Sequence, residues 1–286
     1  MSAVDPDFKM RSPGSLGEAL DIYAQESEGW KLFAGGTDLM VEIHAGRCSH
    51  NRFLSLHRVR ELRGIHVDEN HVTLGATTTY ADILASEVIA QEFPNLREAA
   101  RWTGAIAIQN RGTIGGNIGN ASPAADTPPV LIAYDAEIEL ASARGRRVMP
   151  YSQFHTGYKT TAALSGEIIT RIKLPRTPPG RVHFYRKVGP RGALAISKVS
   201  IAGVAKMSEG IVRELRVAFA SLAPTVLHVA WLESRVVGAS LSRERIEGLC
   251  TEFRGALKPI DDIRSTAEYR ATVAVNLLRE FLETLA

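Results

Sequence analysis

Two short glycine-rich stretches hold the residue types best suited to ligand chemistry: Ala34-Gly-Gly-Thr37-Asp38 and Thr113-Ile-Gly-Gly-Asn117. Paired glycines let a backbone come close to a ligand, and successive amides in such turns form a concavity that binds anions. Beside each pair stands a hydroxyl residue, Thr37 or Thr113, that adds a side-chain donor. The first stretch also opens into a predicted helix, where free N–H groups and the helix dipole favour a phosphate. A Gly-Gly pair taken singly after a strand reads as a plain turn; the two loops together point to a pyrophosphate. Neither is a GxGxxG within a βαβ unit, so a Rossmann dinucleotide site is not supported.

Two further residues carry open alternatives. Asp126 reads either as a first-turn acid complementing a helix dipole or as a carboxylate accepting hydrogen bonds from a ribose or ribityl hydroxyl. Lys187, beside Arg186, reads from spacing alone as a solvated strand charge.

The elements that must position these residues follow from periodicity and caps. Ser15-Leu-Gly-Glu18 fits a capping box ahead of a helix over 16–25. A strand over 31–34 leads into the first glycine loop, with Thr37 as N-cap of a short helix over 38–44 that Gly46 ends. Short strands are expected over 53–56, 64–67 and 72–74, the last two joined by a turn at 68–70. Helices are expected over 80–85 and over 94–102, with Pro94 opening the second and Gly104 stopping it. Residues 105–125 hold Gly112, Gly115, Gly116 and Gly119 and almost no charge, which reads as buried loops with short extended pieces. Ser122-Pro123 is expected to cap a helix through 133, followed by a hairpin of 136–141 with 146–149 and a strand over 168–174. Pro175, Pro178, Pro179 and Gly180 then mark the best domain boundary. Beyond it, strands over 199–207 and 215–221 and helices over 243–256 and 266–285 predict an α+β C-terminal part.

Composition narrows the function classes. The 286 residues, 45% hydrophobic and 23% charged, are those of an ordinary globular chain of about two domains. Thirty-four Lys and Arg against 31 Asp and Glu leave a net charge of +3, and the basic residues are scattered. The cluster Arg144, Arg146, Arg147 reads as a solvated hairpin turn, so no nucleic-acid partner is expected. Residues 1–15 contain no apolar core of a signal peptide, and the longest apolar windows fall far short of the roughly 20 residues that span a bilayer. A cytoplasmic protein without a membrane span is expected. Cys48 and Cys250 lie far apart and form no CxxC pair, so no metal site or iron–sulfur cluster is expected on this chain. HExxH, GxSxG and GxxxxGK[ST] are all absent, which removes the main support for hydrolytic and nucleotide-hydrolysing readings.

Three separated motifs resemble a known family. Lys31-Leu-Phe-Ala-Gly-Gly-Thr-Asp-Leu-Met40, Thr113-Ile-Gly-Gly-Asn-Ile-Gly-Asn-Ala-Ser-Pro-Ala-Ala-Asp126 and Glu167-Ile-Ile-Thr-Arg-Ile-Lys-Leu-Pro175 are similar to the FAD-binding medium subunit of molybdenum hydroxylases of the xanthine dehydrogenase and aerobic carbon monoxide dehydrogenase type. The likeness runs from Phe8-Lys9-Met-Arg-Ser-Pro13 to Ala195-Ile-Ser-Lys-Val199, nearly the whole chain. It implies an α+β fold: a two-part FAD-binding domain of the vanillyl-alcohol-oxidase (PCMH) type over 1–175, with subdomains of about 1–57 and 58–175. A smaller α+β C-terminal domain over 176–286 follows.

The resemblance also assigns residues. Leu32, Phe33, Ala34, Gly35, Gly36, Thr37, Asp38 and Leu39, with Thr113, Ile114, Gly115, Gly116 and Asn117, match the segments that wrap the FAD pyrophosphate and flank the flavin. The amides of Gly35, Gly36, Gly115 and Gly116 are expected on phosphates, with Thr37 and Thr113 as side-chain donors. Asp126 matches the family's FAD-binding aspartate, Ile169 an apolar residue by the cofactor, and Lys187 a lysine near it. Thr103 stands where the family often has an aromatic residue. No His or Cys lies within 34–38 or 113–126 to form a covalent flavin link, so the FAD is expected to be noncovalent, and no catalytic acid–base pair is expected. Valine at Gly115 is expected to give folded but flavin-poor protein.

The implied partners are a large subunit with a molybdenum cofactor and a small subunit with two 2Fe–2S clusters, assembled as a dimer of heterotrimers. Electrons are then expected to pass through the FAD to NAD or another acceptor. Two other readings compete: a free-standing FAD-dependent oxidoreductase of the same fold, which needs its own substrate acid, and a non-catalytic assembly module, which needs no intact glycine loops.

Overall fold

A computed structural model describes residues 8–26, 29–176, 179–191 and 195–286. Residues 1–7 and Pro178, which the sequence reading used, lie outside the described residues. The chain opens with β1 (Lys9–Arg11), α1 (Leu16–Gln25), β2 (Lys31–Phe33), α2 (Leu39–His44) and β3 (Arg52–Ser55). The three strands form a parallel sheet with β3 in the centre. Ser15 caps α1 by accepting from the Glu18 amide at 3.2 Å, but the Glu18 carboxylate turns to the Gly14 amide, so only half of the expected capping box forms. Asp38, not Thr37, occupies the N-cap position of α2, and neither side chain bonds the helix end. That absence leaves the amides entering α2 unsatisfied from within.

Next come β4 (Ile65–Val67) and β5 (His71–Gly75), then six helices: α3 (Tyr80–Ala85), α4 (Glu87–Glu92), α5 (Pro94–Trp102), α6 (Ile106–Gln109), α7 (Ile114–Asn120) and α8 (Pro128–Ala133). The strands β6 (Glu137–Ser142) and β7 (Gly145–Pro150), a two-stranded ribbon of β8 (His155–Gly157) and β9 (Thr160–Thr161), and β10 (Ile168–Pro175) complete this part. Five of these strands make a sheet in the order β4-β5-β10-β6-β7, each neighbouring pair antiparallel. Val72, Leu74, Ile138, Leu140, Ile172 and Leu174 alternate inward from it, all fully buried against α3, α5 and α8.

Two expectations are corrected here. Residues 105–125 are not loops with extended pieces: α6 and α7 run through them. Glycine costs about 1 kcal/mol per residue in a helix, but Ile114 and Ile118 are fully buried and Thr113 caps the first turn of α7. Second, the helix ending at Ala133 does not start at Ser122-Pro123. It opens at Thr127 with Pro128 and Pro129 in its first turn, where their missing amides cost nothing.

The C-terminal part pairs β11 (Arg181–Val188), β12 (Val199–Ser208), β13 (Ile211–Ala220) and β14 (Leu227–His228) in that order, all antiparallel. Helices α9 (Ala230–Val236), α10 (Arg243–Ala256) and α11 (Ala267–Glu283) cover one face, where Phe281 stacks on Phe184 at 5.2 Å. The other face, with Tyr185, Ala202, Val204 and Ala218, joins the core of the preceding part. Strand β11, expected at Lys187 but without bounds, is the seam. Its even-side residues Val182 and Phe184 face the C-terminal helices, while Arg181, His183, Tyr185 and Lys187 face the other way.

Candidate functional site

The two glycine loops lie against each other, and their glycines are needed first for that contact. A Cβ on Gly35 would sit 2.0 Å from the Arg111 carbonyl oxygen, and one on Gly116 would sit 3.6 Å from the Ala34 Cβ. Gly36 has φ +76°, a left-handed conformation that carries a strain cost for any other residue here, and it closes over the Phe33 ring.

The loops differ in what their amides do. In the second loop the Ile114 amide donates to Thr78, Gly115 to Ala76 at 2.8 Å, Gly116 to the Thr113 hydroxyl at 3.1 Å, and Asn117 to the Thr113 carbonyl. The expected phosphate role of the Gly115 and Gly116 amides is therefore corrected: both are spent inside the protein. The Thr113 hydroxyl, having accepted from Gly116, keeps its own proton to donate. In the first loop none of the amides of residues 34–39 donates to another described residue. Six successive unclaimed N–H groups on a turn entering α2 form the anion concavity, and backbone donors of this kind fit a pyrophosphate. Around His57, at the end of the neighbouring strand, stand Arg58, Arg63 and Arg111, and burial together with their positive charge holds that imidazole below its ordinary value.

Gly115 has a second constraint. A Cβ there would meet Ala76 Cβ and its carbonyl oxygen, both at 2.6 Å, so valine at this position pries α7 off the end of β5. Unfolding, not selective flavin loss, is the expected outcome, which replaces the expectation of folded but flavin-poor protein.

Deeper in, Asp126 and Lys187 form a buried ion pair. Lys187 Nζ lies 2.6 Å from Asp126 Oδ2 and also donates to the Trp102 carbonyl at 3.1 Å, with its side chain 4% exposed. The readings of Asp126 as a first-turn acid and of Lys187 as a solvated strand charge are both excluded: Asp126 precedes α8 and Lys187 points inward from β11. Burial pushes the Asp126 carboxyl upward, while the Lys187 charge and the hydrogen bonds from Lys187 and Ser197 pull it back. The next residue, Thr127, donates to the Asn117 side chain at 2.6 Å and so ties this pair to α7. Thr103 ends α5 with its hydroxyl on the Ala99 carbonyl, next to Trp102. Ile169 sits at a bulge in β10 with its Cδ1 against Gly119 of α7. Thus Ile169 packs against α7, Asp126 is tied through Thr127 to Asn117 of that helix, and Lys187 joins Asp126 to Trp102, the residue before Thr103. Leu32 and Phe33 end β2, Leu39 opens α2, and the loop between them meets α7 through Ala34 and Gly116.

Three positioning residues escaped the sequence reading. Ser197 donates to Asp126 Oδ1 at 2.7 Å, and its carbonyl accepts from the Ser221 hydroxyl at 3.0 Å. Arg270, only 3% exposed, donates to the Lys198 and Ser221 carbonyls and pairs with Asp262 at 2.6 Å. The C-terminal part thereby holds the carboxylate of the first. Ser197 lies within the noted Ala195-Ile-Ser-Lys-Val199, but no local spacing marks a serine or a distant arginine as partners of Asp126.

Burial also lowers the imidazoles of His155, which braces α7 by hydrogen bonding the Ile118 carbonyl at 2.9 Å, and His183, where the Arg181 charge adds to the effect. The unfolded chain then binds protons that the folded one does not, so stability should fall as pH drops below about 6.5. Urea midpoints at pH 7.5 and 5.5 check this. A double variant His155→Gln/His183→Gln should flatten the slope, and equal wild-type midpoints at both pH values would refute the assignment.

Comparison with known proteins agrees with this geometry. The model of the FAD binding domain in molybdopterin dehydrogenase matches residues 6–177, and that of the CO dehydrogenase flavoprotein C-terminal domain matches residues 184–285. The chain is 29% identical to the carbon monoxide dehydrogenase medium chain of Hydrogenophaga pseudoflava, over 98% of this chain and 97% of that one. It is 30% identical to the xanthine dehydrogenase FAD-binding subunit of Escherichia coli O157:H7, over 90% of this chain and 88% of that one. A solved structure of carbon monoxide dehydrogenase from Hydrogenophaga pseudoflava superimposes with a TM-score of 0.92 at 29% identity, covering 96% of both chains. Among the described residues no helix is long and apolar enough to cross a membrane. With matching domain models along nearly its full length, the chain belongs to the family of FAD-binding oxidoreductase subunits of molybdopterin dehydrogenases.

Proposed function

We propose that this subunit takes electrons from two 2Fe–2S clusters on a small partner subunit, which receives them from a large partner holding the molybdenum cofactor, and passes them through FAD to NAD or another acceptor. The observation that carries the reading is the run of unclaimed amides over residues 34–39, which suits a diphosphate and little else in the described structure. FAD bound there supplies the redox chemistry; the chain's own residues bind and orient it. Gly35, Gly36 and the residues around them cradle the pyrophosphate, with the Thr37 and Thr113 hydroxyls as donors. Asp126, which Lys187 and Ser197 hold in place, has lone pairs left over for a ribityl or ribose hydroxyl. Thr103 and Ile169 flank the ring system, and Ile114, its side chain fully buried in the core, anchors the second loop from behind. The cofactor is noncovalent, because the loops offer no His or Cys to attach it.

The division at 175/176 and the assembly as a dimer of heterotrimers in the cytoplasm belong to the same reading; the first is supported by the two domain models ending at 177 and beginning at 184. The test is purification of the complex through a tag on this chain, with an absorption spectrum and acid release of cofactors. Releasable FAD with two co-purifying subunits carrying molybdenum and iron–sulfur is the expected result. A colourless single chain that regains no flavin on adding FAD would overturn it.

A further inference from the structure

A second cluster of cationic groups lies away from the flavin site, at the opposite end of β11. Arg181 is six residues along the strand from Lys187, a separation of about 20 Å at 3.3 Å per residue. There a cavity of about 280 Å³ opens where the end of β10 meets the C-terminal sheet, and Arg176, Arg181, Arg213 and Arg216 line it with only Asp135 and Glu214 as acids.

The four guanidinium groups are not equally occupied. Arg176 is bidentate on Glu92, at 2.6–2.9 Å, and Arg216 grips both Asp135 oxygens at 2.9 and 3.0 Å. Arg181 spends one Nη on Glu214 at 2.7 Å, yet its Nε is buried with no hydrogen-bond partner. Arg213 makes no hydrogen bond or ion pair with any described residue. Its placement is a specific backbone feature: Lys206 pairs with Glu214 while Met207 pairs with Val212, so Arg213 is the extra residue of a β-bulge. Bulges re-aim a side chain that the regular pleat would send elsewhere. The buried Arg181 Nε, without an acceptor, carries a desolvation cost, so this guanidinium is only partly satisfied by Glu214.

We propose that this cavity is a second ligand site, for a compact oxyanion with two or more negative charges: free phosphate or the phosphoryl group of a small metabolite. Arg213 and Arg181 are its ligands. The planar guanidinium fork matches the oxygens of such a group in paired hydrogen bonds, which a halide cannot make, and a phosphoryl group offers two forks three or more oxygens where a carboxylate offers two. Arg176 and Arg216, already paired, wall the cavity and hold its shape.

The test is titration calorimetry on the flavin-loaded complex, in which the first loop is already filled, with inorganic phosphate and with glycerol phosphate at fixed ionic strength. Saturable binding with Kd of about 1 mM or tighter is expected for at least one of them. Arg213→Ala, an exposed position that should fold normally, should weaken it at least about tenfold, and Arg213→Lys should restore part of it. Arg181→Gln should act in the same direction, and flavin content should stay unchanged in all three. Tighter binding of the monoester assigns the site to a metabolite, and equal or weaker binding assigns it to free phosphate. No saturable binding of either anion, or binding indifferent to Arg213, would overturn the proposal.

Discussion

Lys187→Met should lower the unfolding free energy by about 3–5 kcal/mol, because it strands the Asp126 carboxylate in the interior with its positive partner gone. The ion pair is deep, with side chains 4% and 10% exposed, so solvent screening gives no discount of the kind that reduces surface pairs to under about 1 kcal/mol. The loss should depend on pH in a definite direction. Burial already raises the Asp126 carboxyl, and removing the ammonium removes the largest influence holding it down. A carboxyl whose folded value lies above its unfolded one binds its proton preferentially in the folded state, so the variant regains stability as pH falls toward about 4. His155 and His183 act oppositely but equally in both proteins, so the difference between variant and wild type isolates Asp126. Urea unfolding at pH 8 and 5.5 measures it. Lys187→Met/Asp126→Asn, which leaves no buried charge and keeps an acceptor for Ser197, should recover much of the deficit. A pH-independent loss below about 1 kcal/mol would mean that the pair is hydrated like a surface one.

Gly35→Ala is the second large effect, and its reading is functional. The added methyl would lie 2.0 Å from the Arg111 carbonyl oxygen and 2.8 Å from its carbon, both backbone, so no side chain can turn away to admit it. The loop must move off its neighbour, and the amides of residues 34–39 move with it. FAD affinity should fall at least about tenfold, or about 1.4 kcal/mol, on top of an overpacking cost of about 1–3 kcal/mol. Gly46→Ala is the control: φ +66° gives it backbone strain of about 1–2 kcal/mol, but nothing lies within 4 Å of its Cβ position. It should lose stability and keep its flavin. Flavin-to-protein ratios and FAD titration of the apoprotein separate the two cases, and full flavin occupancy in Gly35→Ala would show that the contact between the loops does not set the geometry of the site.

What the sequence by itself determined were the features written in a few adjacent residues. Helices α1, α3, α5 and α10 begin and end where caps, Pro94 and apolar spacing place them. The two glycine loops and Asp126 stood out because backbone approach and anion binding demand particular residue types at short spacing. The family resemblance, resting on the same motifs, reached the fold and the cofactor.

The tertiary structure decided the rest. A helix across Gly115, Gly116 and Gly119 is unfavourable in isolation; it forms because Gly115 must fit beneath Ala76 and the Ile114 and Ile118 side chains have a core to fill. In the second loop Thr113 itself claims the Gly116 and Asn117 amides, a local matter, but those of Ile114 and Gly115 are claimed only because folding brings Thr78 and Ala76 within reach. Lys187 changes from a strand charge to a buried partner of Asp126 only once β11 closes against the first part. Ser197, Ser221 and Arg270 act on that pair from 71, 95 and 144 positions along the chain. Local rules see a few residues at a time, whereas burial and pairing are set by what folding brings alongside.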